Sequence, residues 1–480
     1  MKIKIVNNPK LTNKKKNIII FFFLLVLLYL NVYFISFFFL IPLFLYLNKI
    51  KKIDYFLIIL LIILSSLINF WSIYEYGFYV IFKFILANLL LYLLLYLLFK
   101  IFINNKYNFI IIPSIFILIY RLFYLVWIEN WWFNFSAFWN IYSPLLSIIW
   151  SQWVLYIIIL INVLIYNIII LDKKNKFINF IGLTFIIIIY FIPINNFKEN
   201  WFIKIVWIQP NLEQTWSERG INKDKNLDLF LSMSLDAINR YKPDIIVWPE
   251  YVFTHYVELD KNLLNTINAF SLKNHVSIIF WWPKVKWKEY IPNTSEYYNA
   301  LYVFNEWNIK IYKSHKIVAI LDWKPIVSDE YNKFIIKWHS IWLILCYEEH
   351  FQDIFEKQII NNDAETFLIV WNQYYLSNYH WLKMSSIDAN VRAVENNRFI
   401  FRLETWWLTT VINNKWKNIK NLEIKKKDIL YSKIPLTNKK SFYTLYWYII
   451  DIWLFIISLV IFIFFLIKDI YFNINYKTKK

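Results

Sequence analysis

The sequence predicts a multi-span α-helical membrane protein, with about eight spans and one α/β domain inserted before the last span. Three observations predict this fold class. Of the 480 residues 59% are hydrophobic, and the mean hydropathy is +0.42, a bias that soluble globular chains do not carry. The longest apolar runs are crowded into residues 18–194 and 445–467. Between them, residues 197–442 alternate short apolar runs of strand character with amphipathic helical stretches.

Residues 1–17 form a basic tail with Lys2, Lys4, Lys10, Lys14, Lys15 and Lys16. The apolar run that follows, Ile18 to Leu47, exceeds one span of about 20 residues and has no small-residue cleavage site. It therefore reads as a tight pair of spans turning near Asn31. Further spans are expected at about 55–74, 79–103, 108–127, 145–171 and 177–194, giving seven in 18–194, and the last at 445–467.

Lysine placement orients these spans. The formal charge of +19 is nearly all lysine, and much of it flanks apolar runs. Lys49, Lys51, Lys52, Lys100, Lys106, Lys173, Lys174 and Lys176 fall in alternate connections, whereas Tyr74–Gly77 and Ile128–Tyr142 carry no Lys or Arg. With an even number of spans both termini are cytoplasmic, including the basic tail 468–480, and 197–442 is extracytoplasmic. The charge is thus assigned to topology, the membrane is the expected partner, and no nucleic acid is expected.

Within 197–442, strands are expected at Ile203–Ile208, Asp244–Trp248, Val276–Phe280, Ala300–Phe304, Ile335–Leu345 and Thr366–Val370. Helices are expected near 226–240, 261–274 and 381–397. No P-loop, dinucleotide fingerprint or Cys/His metal-ligand cluster is present, so neither cofactor nor metal is expected.

Three strand ends carry chemistry. Ile341–Leu345 delivers Cys346, the single cysteine of the chain, to the polar residues Tyr347, Glu348 and Glu349. A buried lone cysteine is most often a small hydrophobe, but one at the exit of a strand is placed as a nucleophile. Asp244–Trp248 is followed by Pro249, which stops the strand and projects Glu250 at its edge. The run Ile309–Tyr312 ends in Lys313-Ser-His-Lys316, two ammonium groups at a strand end. A thiol is mostly protonated at neutral pH, so a carboxylate to take its proton and an ammonium to lower its pKa complete a nucleophilic set.

One compositional feature alters how these motifs read. The chain has 3 Gly and 25 Trp, where ordinary usage would give roughly 7% Gly. Trp307 in Asn-Glu-Trp-Asn, Trp416 in Asn-Asn-Lys-Trp-Lys and Trp281-Trp282 before Pro283 stand at expected turn tips, where backbone chemistry asks for glycine. This is the pattern left when UGA codons meaning glycine are written as Trp; TGG codons at these positions would exclude it.

In the order Glu250, Lys313, Cys346, each at a strand end, the set resembles the triad of the nitrilase superfamily. With spans before and after the domain, nearly the whole chain resembles the apolipoprotein N-acyltransferases. Val206-Trp-Ile-Gln-Pro-Asn211, Ile246-Val-Trp-Pro-Glu250, Leu345-Cys-Tyr-Glu348 and Arg392-Ala-Val-Glu395 with Arg398 and Arg402 carry the resemblance. Glycine at Trp207, Trp282, Trp307, Trp407 and Trp416 would improve each match. The lysine segment is out of step by one residue, which leaves Lys316 as an alternative to Lys313; Asp322 stands for the family's second acid. After Asn372-Gln373 an expected acid is missing, and the segment before Arg392 is short.

The resemblance implies an αββα sandwich for 197–442, with Glu250 as base, Lys313 as oxyanion cation, Cys346 as nucleophile, and Glu348, Tyr347, Asp322 and Lys316 in support. It further implies acyl transfer from a phospholipid donor through a thioester to the amine of a diacylated apolipoprotein acceptor, at an inner membrane. A membrane-tethered amidase using water, and an inactive scaffold, are the other readings.

Overall fold

The computed structural model describes residues 17–21, 23–24, 37–38, 40–49, 59–60, 63, 78–123, 144–148, 151–171, 173–192, 201–212, 218, 221–250, 253, 260–285, 296–305, 308–316, 325–371, 379–404, 408–423 and 426–477. The chain divides into two compact units, Met1–Ile194 with Tyr446–Lys480, and Asn195–Leu445.

The first unit is helical: α1 Ile41–Lys49, α2 Phe78–Phe102, α3 Asn108–Phe123, α4 Ser151–Ile170 and α5 Lys173–Tyr190. Its apolar interior is pinned by amides, which between apolar helices find partners only in one another. Asn108 and Asn167 donate to each other at 2.9 Å in both directions, and Asn162 accepts from the Leu40 backbone N–H at 3.0 Å. On α5, Phe177, Ile178, Phe180, Ile181, Phe185 and Ile188 are exposed, a largely apolar face broken by Thr184.

Among the described residues two helices are long and apolar enough to cross a membrane, Trp153–Ile170 and Phe442–Lys468. Leu89–Phe102, Asn108–Ile119 and Asn175–Tyr190 are shorter apolar helices. The expected turn near Asn31 and nearly all of the expected span 55–74 lie outside the described residues.

The second unit is the α/β domain. In chain order it contains β1 Trp201–Gln209, α6 Lys223–Tyr241, β2 Ile245–Val247, α7 Lys261–Asn274, β3 Ser277–Trp281, β4 Lys284–Val285, β5 Tyr297–Tyr298, β6 Ala300–Asn305 and β7 Asn308–Lys313. There follow β8 Pro325–Ile326, β9 Phe334–Ile336, β10 His339–Leu345, a 3-10 turn Cys346–His350, α8 Gln352–Asn362, β11 Thr366–Trp371 and α9 Tyr379–Glu395. Strands β12 Ile400–Glu404, β13 Thr410–Ile412, β14 Asn418–Asn421 and β15 Asp428–Leu436 lead into α10, Phe442–Lys477. Helix α10 continues through residues 468–477, which the sequence reading assigned to a tail.

Two six-stranded sheets result, ordered β15-β1-β2-β3-β6-β7 and β14-β13-β12-β11-β10-β9, with a small third sheet β4-β5-β8. Alternation along β1 sets the layers. Ile203, Ile205 and Trp207 join the core shared by the two large sheets, with Leu343, Leu345 and Val370. Val206 and Ile208 face the other way and pack with Phe230 and Ala237 of α6 and Ile267 of α7. Phe355 of α8 meets Phe367 of β11 with ring centroids 4.8 Å apart.

Several elements differ from the sequence reading. The expected strand Ile335–Leu345 is a hairpin, β9 and β10, because Lys337 and Trp338 adopt φ of 50° and 73° at its tip. Trp281 and Trp282 do not form a turn tip: Trp281 ends β3, and Trp282 donates its N–H to the Ala300 carbonyl at 2.9 Å. Trp207 and Trp282 are fully buried, without positive φ. Trp416 does have φ of 70°, in the β13–β14 connection. Trp307 and Trp407 lie outside the described residues.

Candidate active site

Strand direction gathers the singled-out residues at two sheet edges. In the first sheet β2 is parallel to β3, β3 antiparallel to β6, and β6 antiparallel to β7, so β2 and β7 end on the same edge. Glu250 follows β2 and is 2% exposed. Its approach is fixed by Trp248, whose backbone N–H donates to Ile279 at 2.9 Å and whose indole donates to Ser234 at 3.0 Å. Lys313 is the last residue of β7.

In the second sheet β10 runs parallel to β11 with Leu345 opposite Val370, and Cys346 is the next residue. Its thiol-bearing residue has φ of 53°, in the left-handed region, and is partly buried. A left-handed L residue costs roughly 1–2 kcal/mol, so this conformation persists only where neighbours enforce it.

The neighbours are the three residues of the turn that follow Tyr347. The Glu348 carboxylate is fully buried and accepts from the Leu345 N–H at 2.8 Å, the His315 N–H at 2.6 Å, the Tyr312 hydroxyl at 2.5 Å and the Ser314 hydroxyl at 3.2 Å. It thereby clamps both sides of Lys313 to the turn of Cys346. Burial, then the Glu348 charge, hold the Tyr312 hydroxyl well above its ordinary pKa, so Tyr312 remains a donor.

Glu349 is tied the opposite way. The Arg402 guanidinium of β12 donates to it through Nε at 2.9 Å and Nη2 at 3.1 Å, and both groups are fully buried. Burial pushes the Glu349 carboxyl up against the pull of Arg402. Arg402 also lies 5.2 Å from the Trp371 ring centroid and interacts electrostatically with Cys346. His350, last in the turn, binds Asp388 of α9 through Nδ1 and meets the Trp371 ring at 5.3 Å. Tyr347 is buried and packs edge-on against His350 and Phe351.

The two lysines are placed differently. Lys313 Nζ pairs with Glu330 at 2.8 Å and lies 5.0 Å from the Tyr298 ring, on the side of the small third sheet. Lys313 lowers the pKa of the exposed Glu330 carboxyl. Lys316 Nζ instead lies 4.7 Å from the ring of Phe351, the residue just after the nucleophile turn. Asp322 falls outside the described residues, as do Asn372 and Gln373. Among the described residues no group of His, Cys, Asp and Glu is arranged to hold a metal ion.

Sequence reasoning missed Glu330, Arg402 as the partner of Glu349, and the His350–Asp388 pair. His350 stands in the stretch already singled out, but its partner is 38 residues away and nothing in the sequence joins them.

No protein-family model matches the chain, and no curated protein does. Solved structures similar to it include a Saccharomyces cerevisiae member of branch 10 of the nitrilase superfamily, at 15% identity and a TM-score of 0.40, covering 49% of this chain and 91% of that one. An amidase from Nesterenkonia sp. gives the same figures: 15% identity, TM-score 0.40, 49% and 91%. A CN-hydrolase superfamily protein from Xanthomonas campestris is 13% identical with a TM-score of 0.39, covering 48% of this chain and 90% of that one.

Proposed function

We propose that the chain is a membrane acyltransferase of the nitrilase type, resembling the apolipoprotein N-acyltransferases, with Glu250, Lys313 and Cys346 as its catalytic triad. The observation that carries the reading is the left-handed backbone of Cys346 at the end of β10, with Glu348 clamping the lysine segment to the same turn. Strain held in this way presents a partly buried thiol at the end of a strand, on the margin of the shared core.

In the first half-reaction Glu250 takes the Cys346 thiol proton as sulfur attacks the ester carbonyl of a phospholipid. The lysine ammonium and the Tyr347 backbone N–H stabilise the oxyanion. The ester C–O bond then breaks, and Glu250 returns the proton to the departing lysophospholipid alcohol. In the second, an amine attacks the thioester and the C–S bond breaks, leaving an amide and a free thiol. By the family resemblance the acceptor is the α-amino group of the diacylglyceryl-cysteine that begins an apolipoprotein. The two long apolar helices and the exposed apolar face of α5 support a lipid donor over a soluble amide. The eight-span topology, with the domain outside the inner membrane, rests on the lysine pattern.

A second assignment within the site has its own observation. Lys316, at 4.7 Å from the Phe351 ring, lies against the nucleophile turn, whereas Lys313 is drawn to Glu330. On that assignment Lys316 is the oxyanion cation, and Lys313 anchors the β7 end.

We also read Trp338 and Trp416 as positions of glycine in the natural product of the gene. Their φ of 73° and 70° in hairpin tips supports it, as does the 94% exposure of Trp338.

The test is to supply the protein with phospholipid and a diacylated lipopeptide and to weigh the products. N-acylated lipopeptide with lysophospholipid supports the reading. Free fatty acid alone moves it to an amidase-like hydrolase, and no product at all to a scaffold.

A further inference from the structure

The two half-reactions differ in their protons, and this gives the His350–Asp388 pair a task. Thiol plus ester gives thioester plus alcohol with no net proton. An ammonium acceptor plus thioester gives amide, thiol and one proton over. Glu250 can carry one proton from the attacking nitrogen to the departing sulfur, but it is 2% exposed, and one carboxylate holds one proton at a time. An outlet must be basic, oriented and partly open to water.

His350 meets these conditions. It closes the same 3-10 turn that Cys346 opens, and its side chain is 23% exposed while that of Asp388 is 5% exposed. Asp388 holds Nδ1, so in the neutral ring Nδ1 carries the proton and Nε2 the lone pair. No hydrogen bond to Nε2 is found among the described residues. The Trp371 and Tyr347 rings fix the imidazole plane. Among the described residues the charged groups around it are Asp388 on α9, Glu349 in its own turn, and Arg402 on β12, which is itself paired with Glu349.

We infer that His350 Nε2 takes the first proton from the acceptor's ammonium group and passes it to solvent, with Asp388 as its positioning residue. This rests on the acyltransferase reading above. The neutral amine so formed attacks the thioester carbonyl; its second proton goes through Glu250 to the Cys346 sulfur as the C–S bond breaks. The outlet serves only the second half-reaction.

The test separates the half-reactions in the full-length, membrane-reconstituted protein. His350→Gln and Asp388→Asn are each given phospholipid alone, then a diacylated lipopeptide amine. The acyl-enzyme should form at the rate of the parent chain in both. Discharge to the lipopeptide should slow by about a hundredfold in His350→Gln. The slowing should fade at alkaline pH, where the acceptor amine is already neutral, and His350→Ala should regain rate on adding imidazole. Equal loss in both half-reactions, or unchanged discharge in both variants, overturns the proposal. Should one variant fail to fold, the other is read alone. A parent chain that forms no acyl-enzyme refutes the acyltransferase reading itself, a result distinct from slow discharge.

Discussion

The Glu348 carboxylate accepts the backbone N–H of His315 at 2.6 Å and thereby joins the Cys346 turn at the end of β10 in the second sheet to the lysine strand of the first. The same carboxylate takes the Tyr312 and Ser314 hydroxyls and the Leu345 N–H. One buried side chain thus sets the relation between nucleophile and cation.

Removing it should be felt in both fold and rate. Glu348→Ala strands buried donors that lose about 1–3 kcal/mol each when unsatisfied, so the domain should lose about 3 kcal/mol or more. Glu348→Gln keeps an acceptor oxygen but turns an NH2 toward donors. It should melt closer to the parent while still losing most acyl-enzyme formation. Urea melts with acyl-enzyme rates check this; a fully active, stable Glu348→Ala would contradict the clamp.

The lysines are separable by mutation. If Lys313 is the oxyanion cation, Lys313→Ala should lower acyl-enzyme formation by about 10²–10³ and Lys316→Ala much less. A reversal assigns the role to Lys316, as its place beside Phe351 suggests. Single-turnover rates of the two variants decide it.

Much of this arrangement was legible in the sequence. Apolar runs ending in Pro249-Glu250 and Cys346 marked β2 and β10 because a buried strand admits polar residues only where it surfaces, whereas β7, mostly exposed, was marked by the alternation up to Lys313. Helix 261–274 is also found where its periodicity places it. The pairings were not legible. Glu349 with Arg402 spans 53 residues and His350 with Asp388 spans 38, and such contacts arise from sheet order, which no local pattern encodes. The β9–β10 hairpin was missed because its tip reads Lys337-Trp338, and Trp carries none of the turn signal that Gly would.

That absence leads to a stability prediction. Trp338→Gly and Trp416→Gly should each stabilise the domain by on the order of 1 kcal/mol, since glycine adopts positive φ without strain. Melting temperatures of the two versions check it, and no change in either would count against glycine at these tips.

A buried carboxyl sets an expected pH dependence. Burial, only partly opposed by Arg392, holds Glu356 well above the ordinary carboxylate range. A group with a raised folded pKa adds stability below its unfolded value and loses it as pH rises through the folded one. The domain should therefore weaken as pH rises above the ordinary carboxylate range, and Glu356→Gln should flatten that decline. Melting curves across this range test it; an unchanged slope in the variant would contradict the assignment.

The lysine pattern makes a topological prediction. Reporter fusions at Asn175 and Asn308 should report opposite sides of the membrane. Matching locations would overturn the eight-span arrangement.

The most direct test of the central claim is the mass of the intact protein after exposure to phospholipid without acceptor. One added fatty acyl chain on Cys346 is expected, absent from Cys346→Ala and discharged by hydroxylamine and by a lipopeptide amine. An active enzyme with no such adduct, or an adduct that survives Cys346→Ala, would contradict it.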